Sequence, residues 1–275
     1  MGPTPSGTRV WRWGRWEASP VSFPPVGEPP ELKFLEFNMY GSFGNKGDII
    51  GVVNAVRDTV LKDRPDIMMF NEVCLGQADR LWDELNRRGF PTSACYGATT
   101  GRSNCTGAEG SQWYGNAVYC RATGLGEPEM VPLPNPPKKA EQRAMISMVA
   151  DVYGVPVSVS AVHLVPRGSN EYYNRLQVAE VIRLQSERAA AGGAVVFGGD
   201  LNARPEELRE LGLPGSLFQD VDHARNAPTF GRKKIDYIFL DRRFFSNLSG
   251  VVTRSKFSDH RPLKGRATLR VEVGG

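Results

Sequence analysis

The alternation of apolar and polar positions along the first half of the chain predicts strands and helices in turn. Residues 32–39 alternate apolar and polar side chains, a pattern typical of a β-strand. Apolar residues then recur at helical spacing over residues 49–60, and this helix should end before Pro65. Residues 67–70 form a short apolar run that predicts a buried strand, and residues 76–88 predict a second amphipathic helix.

The second half of the chain predicts mostly strands. A loop rich in Gly, Ser, Thr and Asn is expected at residues 97–111, and a third helix at residues 171–190. The predicted strands are residues 116–121, 143–152, 155–164, 194–197, 235–240, 250–253 and 267–273. There is no internal repeat and no linker that would divide the chain after residue 31. The pattern therefore predicts a single α/β domain over residues 31–275.

Residues 1–30 differ in composition and are predicted to be an irregular N-terminal extension. They contain seven prolines and three of the five tryptophans, with arginine and tryptophan interleaved over residues 9–16. Such a segment could stack on bases or lie at a membrane surface. The favoured alternative is that Trp11 and Trp13 dock as an edge strand on the main body.

Composition and charge exclude several classes of protein. A chain of 275 residues that is 40% hydrophobic and 23% charged can bury a large core and is not expected to be mainly disordered. No apolar run approaches the roughly 20 residues of a membrane-spanning helix. The 34 basic and 30 acidic residues give a net charge of +4, which favours an anionic partner without requiring one. We expect a monomer.

The four cysteines occur at positions 74, 95, 105 and 120, without the paired CxxC spacing of a structural zinc site. Their closeness in sequence suits local disulfides, and we expect Cys74 to pair with either Cys105 or Cys95. This favours a secreted or extracytoplasmic protein, although no signal peptide is visible. The alternative is a cytoplasmic protein with four free thiols.

Polar groups that can bind a metal or a phosphate recur where short apolar strands end. They are Asn38, Glu72, His163, Asp200, Asn202, Asp236, Asp259 and His260. Each has an ordinary structural alternative, such as a solvated strand end, a helix cap or a structural histidine. Strands of one sheet nevertheless deliver their ends to a common edge, so we expect the set to converge in one cleft.

The motifs that carry these residues resemble those of the endonuclease/exonuclease/phosphatase superfamily, the deoxyribonuclease I-like phosphoesterases. They occur in the family's order as Phe37-Asn38-Met39, Asn71-Glu72-Val73, Gly115-Asn116-Ala117, His163-Leu164, Gly198-Gly-Asp200-Leu-Asn202-Ala203, Lys234-Ile-Asp236-Tyr237 and Ser258-Asp259-His260-Arg-Pro-Leu263. The resemblance implies an α/β fold, a four-layer sandwich of two face-to-face β-sheets flanked by helices. It also implies a site for Mg²⁺ or Mn²⁺ at one sheet edge. Tyr40 departs from the pattern, because several nucleases of the family carry an acid at this position.

Phosphoester hydrolysis needs an activated water, neutralised phosphate oxygens and help for the leaving group. We expect the metal ligands to be Asn38, Glu72 and Asp259, since oxygen ligands suit these hard cations. Asp200 should orient or deprotonate the water, and Asn202 should donate to the water or the developing oxyanion. His260 and His163 should contact the phosphate, with Asp236 holding His260.

Three further residues are candidates for substrate binding: Asn116, Arg143 and Lys234. The favoured function is a nuclease that acts on DNA or RNA, because nearby basic residues could contact a phosphate backbone. These residues are Arg12, Arg15, Arg232, Lys233, Lys234, Arg254, Lys256 and Lys264. The alternative is the same chemistry on a small or lipid phosphoester, such as an inositol phosphate, sphingomyelin or a nucleotide. A binding module without catalysis would require a lost catalytic group, and every expected group is present.

Overall fold

The computed structural model describes residues 9–17, 29–105, 112–137 and 141–270 of the chain. The described strands are β1 (Arg9–Trp13), β2 (Trp16–Glu17), β3 (Glu31–Asn38), β4 (Ile67–Cys74), β5 (Ser93–Gly101), β6 (Trp113–Cys120), β7 (Thr123–Pro132), β8 (Ala144–Val152), β9 (Val155–His163), β10 (Ala194–Asp200), β11 (Phe218–Asp220), β12 (Asp236–Asp241), β13 (Phe245–Val252) and β14 (Leu263–Leu269). The helices are α1 (Gly51–Asp63), α2 (Leu75–Arg87), a short 3₁₀ turn (Gly168–Asn170), α3 (Glu171–Ala190) and α4 (Pro205–Glu210).

The strands form two seven-stranded sheets that pack face to face. Sheet 1 has the order β1-β5-β6-β4-β3-β14-β13, and sheet 2 has the order β11-β12-β10-β9-β8-β7-β2. One apolar core lies between the sheets, a second joins sheet 1 to α1 and α2, and a third joins sheet 2 to α3. The predicted four-layer α/β sandwich is confirmed. No helix in the described part of the chain is long and apolar enough to span a membrane.

The sequence pattern missed the strand β5. The loop predicted at residues 97–111 is wrong for residues 97–101, which continue β5 and pair with β6. Small and polar side chains in this segment hid a strand whose seven residues from Ser93 to Thr99 are all buried. Residues 106–111 of that predicted loop, and residues 271–273 of the last predicted strand, lie outside the described residues.

The described part of the N-terminal extension forms edge strands of both sheets. β1 pairs antiparallel with β5, and β2 pairs parallel with β7. The ring of Trp11 lies 5.5 Å from that of Tyr96 and 5.8 Å from that of Trp113, measured between centroids. The tryptophans therefore pack on the body of the protein, as the edge-strand alternative predicts.

A disulfide joins Cys74, the last residue of β4, to Cys105, 31 positions later. Of the two pairings left open by the sequence, the structure has the one with Cys105. Cys95 and Cys120 are free thiols buried between the sheets. Burial raises the pKa of both thiols, so neither favours the thiolate form.

Reduction of this disulfide should lower the free energy of unfolding by about 3–4 kcal/mol, because a loop of this length gains chain entropy in the unfolded state. Guanidinium denaturation with and without a reductant measures the change. The double variant Cys74→Ser/Cys105→Ser should have the same free energy of unfolding as the reduced wild type, and adding the reductant should not change it. Equal midpoints for oxidised and reduced wild type would contradict the expectation.

Candidate active site

Strand pairing brings the predicted chemical groups to one edge of the sandwich. In sheet 1, Asn38 at the end of β3 pairs with Asn71 in β4. In sheet 2, Asp200 at the end of β10 pairs with His163 on one side and Asp236 on the other. The amide of Asn38 donates to Asp200 Oδ2 at 3.3 Å and so links the two sheets. The predicted site residues that line the resulting cleft of about 890 Å³ are Glu72, Arg143, His163, Asp200, Asn202, Asp259 and His260.

Local backbone geometry turns Glu72 toward the cleft. The pairing of β4 with β6 shifts by a bulge between Phe70 and Val73, and Glu72 has a left-handed φ of 55°. Its Oε1 accepts a hydrogen bond from the Asn38 amide at 3.0 Å. Strain of this kind persists where the surrounding structure enforces it and is common at functional sites.

The glycine before Asp200 is required by its surroundings. Gly199 has a φ of 133°, and a Cβ there would lie 1.9 Å from the Val162 carbonyl oxygen. Asn71 Oδ1 accepts a hydrogen bond from the Asp200 backbone N–H at 2.7 Å. Gly199 thus allows the end of β10 at Asp200 to lie close against β9, and a Cβ at Gly198 would meet the Tyr237 carbonyl oxygen of β12 at 2.3 Å.

Asp200 lies at the centre of the site. Its Oδ1 accepts the backbone N–H of Asn202 at 2.9 Å, and its Oδ2 lies 3.5 Å from His163 Nε2 and 3.7 Å from His260 Nε2. Burial and the charge of Asp236 raise the pKa of Asp200 to about 8, although His260 and the Asn202 N–H oppose the shift. A buried carboxyl with this pKa is suited to exchange a proton near neutral pH.

His260 is held as a cation by Asp236. Its Nδ1 donates to both Asp236 oxygens, at 2.9 and 3.0 Å, and Asp236 is fully buried. Burial alone would lower the pKa of His260, but the charge and hydrogen bond of Asp236, with smaller contributions from Asp200 and Asp259, raise it to about 9. Nε2–H is left to face the cleft.

His163 has the opposite protonation. Burial, the Arg143 guanidinium and His260 together hold the pKa of His163 well below its usual value. Arg143 Nη1 donates to His163 Nδ1 at 2.8 Å, so the neutral ring carries its proton on Nε2. That nitrogen lies 3.8 Å from Glu72 Oε1. Arg143 therefore orients His163. The same guanidinium atom of Arg143, Nη1, also lies 3.4 Å from Glu141 Oε1.

Carboxylate and amide oxygens at this edge fit a hard divalent cation. Glu72 and the exposed Asp259 line the same cleft, and the buried carboxyls of Asp200 and Asp236 lie at the same edge. Oxygen donors around excess negative charge are what Mg²⁺ and Mn²⁺ prefer. Asn38 presents its Nδ2 to Glu72 and Asp200, and its Oδ1 accepts from the Tyr40 backbone N–H, so its direct ligation stays a prediction.

A second metal-competent group comprises Asp200, Asp236 and His260, whose ligand atoms lie within 4.8 Å of one another. In this group His260 Nδ1 is already hydrogen-bonded to Asp236, so Nε2 is the ring nitrogen that remains for a further partner.

The two asparagine amides mostly support other groups. Asn202 lines the cleft, but its Nδ2 donates to the Leu164 carbonyl at 2.9 Å, which leaves one of its two amide hydrogens for the expected oxyanion contact. Asn116 is buried, and its Oδ1 accepts from Asn71 Nδ2 at 3.0 Å. Asn116 thus acts through Asn71, which in turn holds the Asp200 backbone.

Lys234 corrects the sequence-based expectation of a phosphate contact. Its side chain is 1% exposed, and its ammonium lies 3.0 Å from Asp220 Oδ2 and 3.5 Å from Asp222 Oδ2. Burial raises the pKa of Asp220 even though Lys234 opposes the shift. The sequence could not reveal these partners, which come from β11 and the residues after it. Lys233, the neighbouring residue, is exposed and lines the cleft.

Lys234→Ala should therefore destabilise the fold by about 3–5 kcal/mol, because it leaves two buried carboxylates without their cation. Lys233→Ala is the matched control and should change the free energy of unfolding by no more than about 0.5 kcal/mol. Urea denaturation measures both. Similar stability of the two variants would contradict the assignment of Lys234 to an internal ion pair.

The sequence did not identify one wall of the cleft. This wall consists of Tyr40, Phe43, Arg102, Tyr114 and Glu141. Arg102 follows β5 in a segment that the hydrophobic pattern assigned to a loop. Apart from Tyr40, which was noted only as a departure from the family pattern, no motif marked these residues.

Residues 35–260 match the model of the Endonuclease/Exonuclease/phosphatase family. The fold resembles that of truncated Caenorhabditis elegans TDP2, with 19% identity, a TM-score of 0.65, and 86% of this chain and 97% of that chain covered. The human Nocturnin catalytic domain with bound sulfate has 16% identity and a TM-score of 0.70, with 89% and 97% covered. D. rerio TDP2 complexed with a single-strand DNA product has 14% identity and a TM-score of 0.62, with 86% and 99% covered. No curated protein sequence matches the chain.

Proposed function

The chain belongs to the Endonuclease/Exonuclease/phosphatase family and is a hydrolase of phosphoester bonds; from that premise we propose that it is a Mg²⁺- or Mn²⁺-dependent endonuclease acting on DNA or RNA. The observation that carries the proposal is the pairing of a cationic His260 with a proton-exchanging Asp200, their facing atoms 3.7 Å apart. One group supplies positive charge to a phosphate, and the other accepts a proton from water.

In this mechanism Asp200 orients the attacking water and takes its proton, while the Asn202 amide assists at the developing oxyanion. His260 donates from Nε2 to a phosphate oxygen and stays cationic through its contact with Asp236. His163 donates its own Nε2–H, in the tautomer that Arg143 imposes. Glu72, Asp259 and the Asn38 oxygen would hold the divalent cation. When bound, that cation supplies Lewis-acid polarisation of the phosphate and offsets the negative charge around Asp200.

A nucleic-acid substrate is supported by cationic side chains on the cleft and near its residues in sequence. Lys233 and Arg204 line the cleft, and Arg254 and Lys256 are exposed a few residues before Asp259, where they line a separate cavity. The fold of D. rerio TDP2, which this chain resembles, holds a single-strand DNA product. A cleft of about 890 Å³ also has room for more than one phosphate group with its sugar.

One observation favours the alternative, a small or lipid phosphoester such as an inositol phosphate, sphingomyelin or a nucleotide. All four arginines that line the cleft already have carboxylate partners: Arg102 with Glu141, Arg143 with Glu141, Arg167 with Glu207, and Arg204 with Glu206. Their charge is partly balanced before any substrate binds, which suits a substrate with a single phosphate.

Salt dependence separates the two substrates. Binding of single-stranded DNA should weaken with salt at a log–log slope of about −0.7 per phosphate contacted, whereas one phosphoester gives a shallow slope. Lys233→Ala/Lys256→Ala should flatten the slope for DNA. The control Arg183→Ala/Arg270→Ala removes the same charge away from the cleft and should leave the slope as in wild type. A wild-type slope near zero, or DNA that does not bind, would favour the small substrate.

The disulfide also bears on where the protein acts. Cys74–Cys105 requires an oxidising compartment to form and persist. We propose a secreted or extracytoplasmic location, in which a hydrolase would meet nucleic acid outside the cytoplasm. Complete formation of the disulfide in periplasmic but not cytoplasmic expression, measured by thiol labelling, would agree with this location. A fully reduced protein from both compartments would contradict it.

A further inference from the structure

The aromatic side chain of Phe43 is exposed inside the catalytic cleft. It is 56% accessible although it lines the same cavity as Glu72 and His260. Ligand clefts are lined predominantly by apolar and aromatic side chains, so an exposed ring at this position is available for contact with a ligand. On the basis of the proposed function, we propose that Phe43, backed by Arg102, is a binding subsite for a nucleobase of single-stranded nucleic acid.

Arg102 fixes the geometry of this subsite. Its guanidinium lies 4.9 Å from the centroid of the Phe43 ring and 5.3 Å from that of Tyr114. Arg102 Nη2 donates to Glu141 Oε2 at 2.8 Å, which holds the guanidinium plane in place. Phe43 thus has a cation against its ring and still leaves more than half of its surface free for a flat partner.

The segment that carries Arg102 forms a turn that is anchored to two other parts of the chain. The backbone N–H of Cys105 donates to the Arg102 carbonyl at 2.9 Å, and the Cys105 disulfide fastens this turn to the end of β4. Asn104 Nδ2 donates to the Ser42 carbonyl at 3.4 Å, directly beside Phe43. The subsite is therefore formed before a ligand arrives, which lowers the entropic cost of binding.

Direct contacts connect the subsite to the reacting groups. Glu141 bridges Arg102 to Arg143, with distances of 2.8 and 3.4 Å. Arg143 then donates to His163 Nδ1 at 2.8 Å. A base placed on Phe43 is consequently positioned relative to the phosphate that His163 contacts.

The chemistry of the subsite suits a nucleobase better than a lipid or sugar head group. Base–aromatic stacking is independent of sequence because every base has a flat π face, and an adjacent arginine adds a cation–π contact. A single-stranded substrate exposes that face, whereas a duplex hides it inside the stack. The subsite therefore predicts a preference for single strands or for frayed and unpaired ends.

The test compares three variants of Phe43 with one control on a single-stranded oligonucleotide and on its duplex. Phe43→Ala should raise the KM for the single strand by about 5- to 100-fold, the scale of one lost base–aromatic stack, with a much smaller change in kcat. Phe43→Leu keeps an apolar side chain without a ring and should behave like Phe43→Ala. Phe43→Trp should restore or lower the wild-type KM. The control Tyr153→Ala removes an exposed aromatic side chain just before β9, at the end of that strand remote from His163. Its KM and kcat should equal those of wild type.

The outcomes distinguish this inference from the proposed function. If the wild type cleaves the oligonucleotide and Phe43→Ala has an unchanged KM, the subsite is contradicted and the proposed nuclease function is retained. A wild-type KM in Phe43→Leu would assign Phe43 to general apolar contact and also overturn the proposal. If wild type cleaves no oligonucleotide but hydrolyses sphingomyelin vesicles or an inositol phosphate, both the proposed nuclease function and the proposed subsite are contradicted.

Discussion

Asp200→Asn should lower kcat for phosphodiester hydrolysis by about 10²- to 10⁴-fold, the usual contribution of an acid–base group. The amide keeps the size of the side chain and can still accept the Asn202 N–H, but it cannot take a proton from water. Steady-state kinetics on an oligonucleotide or a chromogenic phosphodiester measure the loss. Asp66→Asn is a matched control, because Asp66 is a partly buried aspartate just before β4, at the end of that strand remote from Glu72 and the cleft.

A stability measurement separates lost chemistry from lost folding. The pKa of Asp200 is raised to about 8, so in metal-free buffer its contribution to stability is complete below pH of about 4 and is lost as pH rises through about 8. Asp200→Asn has no such loss and should be more stable relative to wild type at pH 9 than at pH 5. A variant that is inactive and also unfolds earlier than wild type at pH 9 would contradict the assigned role.

Glu72→Gln should raise the concentration of Mg²⁺ or Mn²⁺ needed for half-maximal activity and lower turnover by about 10² or more, because the charge of a metal ligand is removed. EDTA should abolish wild-type activity, and added Mg²⁺ should restore it. Calorimetry of Mn²⁺ binding gives a readout independent of activity and should show weaker binding to the variant. Glu171→Gln, on the rim of the same cleft, is the control. Full activity of the wild type in EDTA would refute the metal site.

The fold and the convergence of the site could be predicted because they depend on strand pattern and motif order. Asn38, His163 and Asp200 end apolar strands. Strand pairing aligns His163 with Asp200 in sheet 2, and the face-to-face packing of the sheets brings Asn38 of sheet 1 against Asp200. The hydrophobic pattern carries that information, since it determines which strands are buried. The bulge that turns Glu72 inward depends on pairing with β6 and is not visible in the pattern.

Two contacts between residues distant in sequence were not predicted. Lys234 looked like a phosphate contact because it precedes a catalytic motif, but Asp220 and Asp222 enclose its ammonium in the fold. The family resemblance predicted that Asp236 holds His260, and the structure has this contact, but it gave no partner for His163. The different protonation of the two histidines follows from which charged partner each one meets, Asp236 for His260 and Arg143 for His163.

Cleavage of an end-labelled single-stranded DNA oligonucleotide by wild type and by His260→Asn, in Mg²⁺ under single-turnover conditions, tests the central claim most directly. The account predicts internal cleavage by the wild type that requires the cation, and a rate at least about 10² lower for His260→Asn, because the cationic donor to the phosphate is lost. Fragments should carry ends produced by hydrolysis of a phosphodiester. Equal rates for the two proteins, or no cleavage by wild type at any concentration of Mg²⁺ or Mn²⁺, would contradict it.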